Sequence, residues 1–235
     1  MQADSMGPLG ASSFSFLNLG EHGAAYHAGA VVGDLPDLIE TLEALPKAQA
    51  GTRISGLETL RPILAPNGAI GSIAAHALGP GSRPVRAILF DKTAETNWAL
   101  GWHQDRTICV RRRMDVDGFG PWTTKAGMQH VAPPFDLLGR MLTLRVHLDD
   151  VAPTNAPLLI APGSHRLGRV PVDAIDTAVR SCGTMACLAT AGDVWAYSTP
   201  ILHASEAAAD PARRRVLQVD FAGEELPGGL QWLGV

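Results

Sequence analysis

The chain has 235 residues, of which 46% are apolar and 18% charged, with a formal net charge of −4. That suits one domain with a substantial core and excludes a disordered chain, and the acidic balance with no aromatic-basic platform argues against nucleic acid as a partner despite the basic run Arg111, Arg112, Arg113. No apolar run approaches the roughly 18 residues of a membrane span, the N-terminal MQADSMGPLG lacks the features of a secretory signal, and Cys109, Cys182 and Cys187 have no zinc spacing, so a cytoplasmic protein with reduced thiols is expected.

In chain order, GASSFSFLNLG has room for a short strand, and EHGAAYHAGAVVG is small and flexible in composition. Residues 36–45 predict a helix: Leu38, Ile39, Leu42 and Leu45 share a stripe, Asp34 stands at the cap and Pro36 in the first turn. Residues 56–66 and 67–79 predict two more helices divided near Pro66, so residues 1–84 read as mostly helical. From 85 the pattern turns to short strands: 85–91, 102–110, 141–150, 157–163, 193–198 and 214–222, each bounded by Gly, Pro, Asp or Asn. A helix at 171–182 interrupts them, long loops fill 111–140 and 199–212, and 223–235 forms a C-terminal tail. Short strands with peripheral helices indicate a mainly β barrel or two-sheet roll over 85–222, within one domain spanning 1–235.

The strand 141–150 alternates Leu142, Leu144, Val146 and Leu148 with Thr143, Arg145, His147 and Asp149. One face therefore packs on apolar neighbours. The polar face is either wet or the lining of a ligand cavity in which Arg145 would meet an anion.

Within GWHQDRTICV, His103 and Asp105 lie two apart on a predicted strand, pointing to the same side. Trp102 should point the other way, into the core. His-x-Asp alone is a weak metal motif. His203, after the strand DVWAYS and a turn, offers the third ligand of a facial triad of two imidazoles and one carboxylate. Ser205 and Arg214 follow it, and an arginine is a planar, permanently charged partner for the far carboxylate of a chelating diacid. Arg213 and Arg215 are the register alternatives, and a solvated basic turn is the plain reading of the run.

Together WHQD (102–105), N-x-P-L-x-x-x-P-G-S-H-R (155–166) and H-x-S-x(8)-R (203–214) resemble the phytanoyl-CoA dioxygenase (PhyH) family over about residues 85–222. The resemblance implies a double-stranded β-helix (a cupin-like jelly roll) with helices outside. It implies an Fe(II)- and 2-oxoglutarate-dependent dioxygenase that uses O₂, hydroxylates a small polar organic substrate and releases succinate and CO₂. His103, Asp105 and His203 would hold the iron. Arg214, helped by Ser205, would hold 2-oxoglutarate, with Lys92 and Asn97 near the co-substrate. Related halogenases have a small residue at the carboxylate position, so Asp105 favours hydroxylation. The family usually has Asn-Gly where this chain has Asn155-Ala156, which questions the turn there. His165 would be a positioned loop residue rather than a fourth ligand. Arg145, His147, Trp122, Lys125, His130 and Asn155 are the candidate substrate contacts, several of them in the long loop. Two competing readings are a cupin-type metalloprotein that uses the triad without 2-oxoglutarate, and a non-catalytic ligand-binding relative.

Overall fold

The computed structural model describes residues 14–45 and 51–235. The elements are β1 Ala24–His27, α1 Leu35–Glu43, β2 Gly51–Ile54, α2 Arg61–Leu64, α3 Gly71–Leu78, β3 Arg83–Lys92, β4 Leu100–His103, β5 Ile108–Val110, β6 Trp122–Lys125 and β7 Met128–Val131. They continue with α4 Phe135–Gly139, β8 Met141–His147, β9 Leu158–Ile160, α5 Ile175–Cys182, β10 Met185–Cys187, β11 Val194–Ser198, β12 His203–Ser205 and β13 Arg214–Ala222.

The strands form a six-stranded sheet, β1-β11-β8-β13-β3-β2, a four-stranded sheet, β10-β9-β12-β4, and a three-stranded sheet, β5-β7-β6. This is a mainly β, double-stranded β-helix architecture. The two larger sheets enclose a cavity, and helices cover the other face of the six-stranded one. Leu142, Leu144, Val146, Leu217, Val219 and Phe221 pack on that outer face against Leu38, Leu42, Leu60, Leu64, Ile70 and Ala74. Burying these alternate positions fixes the register of β8 and β13, because a slip by one residue would put their polar partners in the core.

Several elements differ from the sequence reading. Asp34 precedes α1 but makes no side-chain cap bond, while Pro36 does sit in its first turn. The segment read as small and flexible supplies β1, which pairs with β11, and β2 pairs with β3. The N-terminal helical segment therefore also carries both edges of the larger sheet. Residues 10–13 of the expected first strand lie outside the described residues, and 14–20 form turns. Residues 111–140 are not one loop: β6 and β7 make a hairpin that joins β5. β12 lies inside the expected loop 199–212. The C-terminal tail docks, with Leu226, Leu230 and Trp232 buried among Val85, Ile108, Val110 and Val131. Among the described residues no helix is long and apolar enough to cross a membrane.

Candidate active site

The inner face of the six-stranded sheet is built in rows. One row runs Arg53–Ile88–Gln218–Arg145 across β2, β3, β13 and β8. The next row towards one end holds Arg86, Asp220 and Thr143, and the last at the other end pairs Lys92 with Arg214. The polar face of β8 therefore points inward, and all seven residues of that strand are buried. Arg145 lines a cavity of about 420 Å³, together with Arg53, Arg86, Lys92, Lys125, His130 and Arg214. The opposite wall carries Leu158, His203 and Ser205 from the four-stranded sheet, with His103 and Asp105 beside them.

His103 and His203 are directly paired across β4 and β12. The continuous strand expected over 102–110 breaks after His103, and Asp105 lies in the loop that follows. The cause is Gln104. Its buried amide donates to the carbonyls of Gly168 and Pro200 and accepts from the Val170 amide, diverting the chain from the ladder. Asp105 nonetheless returns to the histidines: one ligand atom from each of His103, Asp105 and His203 lies within 4.8 Å of the others. Trp102 packs behind them, half-buried on the cluster of Ala161, Val170, Ile175, Val179 and Leu202.

The chemistry of this donor set fits a divalent metal. His103 Nδ1 is 2.8 Å from the Gly101 carbonyl and His203 Nδ1 is 2.9 Å from that of Ile201. A carbonyl only accepts, so both rings carry the proton on Nδ1 and leave the Nε2 lone pair free. Burial, with His103 nearby, pushes His203 down to about 4 against the opposing pull of Asp105, so its imidazole is neutral as a ligand requires. Burial alone would raise the Asp105 carboxyl, but Arg86, His203 and His103 outweigh it and hold it below its ordinary value.

Arg86 is shared. Its Nη2 donates to Asp105 at 3.0 Å and its Nε to Asp220 at 2.5 Å, and Thr143 donates to the other Asp220 oxygen. One guanidinium serves two carboxylates, the half-buried Asp105 and the buried Asp220. The cost of burial falls on Asp220, which is raised, while the cation leaves one Asp105 oxygen committed to it. Neither Arg86 nor Asp220 follows from a motif; only the inward alternation of β3 and β13 could have pointed to them.

At the other end of the cavity Arg214 is almost fully buried, and its Nη1 donates to the Ala156 carbonyl. Burial and then Arg145 bring its guanidinium down to about 10, which leaves it charged at neutral pH. Arg213 and Arg215 point outward, pairing with Asp91 and Glu43 and with Asp149 and Glu43. The strand register thus separates the three arginines. Lys92 Nζ reaches the Trp98 carbonyl at 2.7 Å and Ser205 Oγ at 3.1 Å, inside the cavity.

Other expected contacts are elsewhere. Asn97 does not line the cavity; it clasps the Ala208 backbone with both ends of its amide and so holds the rim loop. Asn155 likewise accepts from the Ala212 amide, and Ala156 keeps the left-handed turn without glycine, at φ 47°. His147 is buried on β8 beyond the cavity, and its ring nitrogens have no hydrogen-bond partner among the described residues. Trp122 packs into the cluster around Val131, with Arg113 over its ring, and not into the cavity. His130 and Lys125 do line it. His165 packs against Gly23 on the outside, where any Cβ would strike its ring. Ser164 beside it accepts from the Leu202 amide, bracing the chain just ahead of His203.

A family model described as Phytanoyl-CoA dioxygenase (PhyH) matches residues 69–216. No curated protein matches the chain. Among solved structures, the fold resembles the epimerase SnoN in complex with Fe3+, alpha ketoglutarate and nogalamycin RO, at 17% identity, TM-score 0.64, 90% of this chain and 88% of that one. It resembles HygX from Streptomyces hygroscopicus with nickel, 2-oxoglutarate and hygromycin B bound, at 15% identity, TM-score 0.59, with 87% and 84% covered. It also resembles EctD from S. alaskensis with bound Fe, at 18% identity, TM-score 0.61, with 100% and 83% covered.

Proposed function

The chain belongs to the phytanoyl-CoA dioxygenase family, and from that premise we propose that it is an Fe(II)- and 2-oxoglutarate-dependent dioxygenase that hydroxylates a small polar organic molecule. The observation that carries the reading is the meeting of His103, Asp105 and His203 at one point of a cavity whose far end holds Arg214, Lys92 and Ser205. That SnoN, HygX and EctD carry iron, nickel or 2-oxoglutarate in their crystals supports the same cofactors here.

Iron(II) with 2-oxoglutarate and O₂ supplies an oxidative decarboxylation to succinate and CO₂ that drives oxidation of a substrate C–H bond. The protein's own residues have four tasks. His103 and His203 present Nε2 because backbone carbonyls hold their Nδ1 protons. Asp105 gives one oxygen while Arg86 keeps the other, which fixes the carboxylate's orientation. Arg214 takes the distal carboxylate of 2-oxoglutarate, with Lys92 and Ser205 alongside. Arg145, anchored on Gln218 at 3.0 Å, sets the charge of the wall between them. Holding a metal with these three side chains alone, the protein would leave the rest of its coordination to the co-substrate and O₂.

His103→Ala or Asp105→Ala should abolish iron-dependent turnover and preserve the fold; retained activity would sink the triad. Arg214→Ala should raise the 2-oxoglutarate requirement far more than Arg213→Ala does. Unchanged turnover without 2-oxoglutarate would favour the cupin-type alternative, and no turnover at all, with ligand still bound, the non-catalytic one. Because SnoN is an epimerase, the product decides the reaction type: a gain of one oxygen atom means hydroxylation.

A further inference from the structure

The cavity carries more positive charge than this chemistry uses, and the surplus sits in one place. Asp105 is the one carboxylate among its lining residues. Arg86 is satisfied by Asp105 and Asp220 and Arg106 by the Val170 carbonyl; Lys92 and Arg214 pair at the end assigned to the co-substrate, and Arg145, at the other end of the row that begins with Arg53, is held by Gln218 and acts electrostatically on both. Arg53 and Lys125 remain. Arg53 stands on the edge strand β2, in register with Ile88, and both line the cavity. Its Nε is buried and has no hydrogen-bond partner among the described residues. Lys125 ends β6 at the tip of the hairpin over the cavity, exposed and without an ion pair among the described residues. Arg53, Lys125 and His130 line the same cavity, and with burial and Arg86 the two cations lower the His130 imidazole to about 4, so it stays neutral.

A charged nitrogen withdrawn from water without an acceptor is costly unless a ligand supplies one. A 2-oxoglutarate held at Arg214 would be in the wrong place to do so. Arg214 pairs with Lys92, and Arg53 with Ile88, on opposite sides of β3. The two arginines are therefore about 13 Å apart along the strands and about 10 Å across two strand spacings.

We propose that Arg53 and Lys125 form a second anion seat, which holds a carboxylate or phosphate of the organic substrate while its apolar body lies against Phe90, Leu100 and Leu158. The proposal rests on the oxygenase reading of this cavity, since that reading assigns the Arg214 end to 2-oxoglutarate. The seat fixes one end of the substrate on the larger sheet and leaves the other end free to approach His103 and His203.

The test is calorimetric and needs no turnover. Protein loaded with Ni(II) and saturating 2-oxoglutarate is titrated with phenyl phosphate, benzoate and the neutral benzyl alcohol. At least one anion should bind at least about ten-fold more tightly than the alcohol, and the better of the two identifies the anion type. Arg53→Gln and Lys125→Gln should each weaken that anion by at least about five-fold while leaving 2-oxoglutarate affinity within about two-fold. Lys125 is exposed at a hairpin tip, so its variant stays folded if Arg53→Gln does not. Equal binding of anion and alcohol, or undiminished anion binding in Lys125→Gln, overturns the seat. Failure of 2-oxoglutarate to bind the parent protein overturns the oxygenase reading instead, and the anion titration repeated without it still judges the seat.

Discussion

At the scale of single residues, Lys92 shows how the cavity sets its own charge. The ammonium is tied to the Trp98 and Glu206 carbonyls and Ser205 Oγ, and lies 4.4 Å over the Trp98 ring. Burial, then Arg214 and Arg145, bring it down to about 8. The sign of the consequence differs for stability and binding. Between about 8 and the ordinary 10.5 the unfolded chain binds more protons, so this residue's contribution to stability rises with pH across that window. Binding of a dianion beside Lys92 goes the other way, because the free protein loses the ammonium above about pH 8. Affinity for 2-oxoglutarate should be flat below that pH and fall by up to about ten-fold per pH unit above it. Titrations at pH 7, 8 and 9 should show the fall in the parent protein and not in Lys92→Met; equal slopes would exclude Lys92 from the co-substrate seat.

At the scale of elements, the hairpin β6–β7 ties turn chemistry to the cavity rim. Its two turn residues are Ala126 at φ 49° and Gly127 at φ 75°. Such a turn prefers Asn-Gly, and an alanine in the left-handed region costs about 1–2 kcal/mol. Ala126 is exposed, so its methyl stabilises little by burial. Ala126→Asn should therefore stabilise the hairpin by about 0.5–1 kcal/mol, read as a higher urea midpoint and slower amide exchange in 122–131; no change would mean that the left-handed conformation of Ala126 costs the hairpin nothing. The same alanine explains why the hairpin was illegible: TTKAGMQH lacks both the Asn-Gly signal and strict alternation. β1 and β2 are short edge strands of four residues rich in small side chains, AAYH and GTRI, which composition cannot distinguish from loop. The break at Gln104 depends on carbonyls 64 and 96 residues away, which no local pattern contains. The long strands β3, β8 and β13 were legible because one face of each must be apolar. The triad and Arg214 were legible because metal and carboxylate recognition restrict residue type at fixed spacing. Arg86, Asp220 and Arg53 were not, since each takes its role from a partner on another strand.

At the scale of the molecule, the six-stranded sheet divides stability from chemistry by the parity of its residues. On β13, Leu217 faces the helices and is fully buried there, while its neighbour Gln218 holds Arg145 inside the cavity. The outer face joins N-terminal helices to central strands through apolar contact, which contributes most of what a core contributes. The inner face keeps Arg145 within electrostatic reach of Arg214 and Lys92, a set of like charges that favours the fold less than it favours an anion. Two truncations should therefore behave oppositely. Leu217→Ala should cost about 2–5 kcal/mol, at roughly 2–4 °C of Tm per kcal/mol, and leave ligand affinity unchanged below the transition. Arg145→Ala removes a cation whose Nε has no hydrogen-bond partner among the described residues. It should leave Tm within about 2 °C and weaken 2-oxoglutarate or the anionic probe by at least about ten-fold. Thermal melts and titrations on the same two variants measure both quantities. A large Tm loss in Arg145→Ala with unchanged binding would return that face of β8 to a purely structural role.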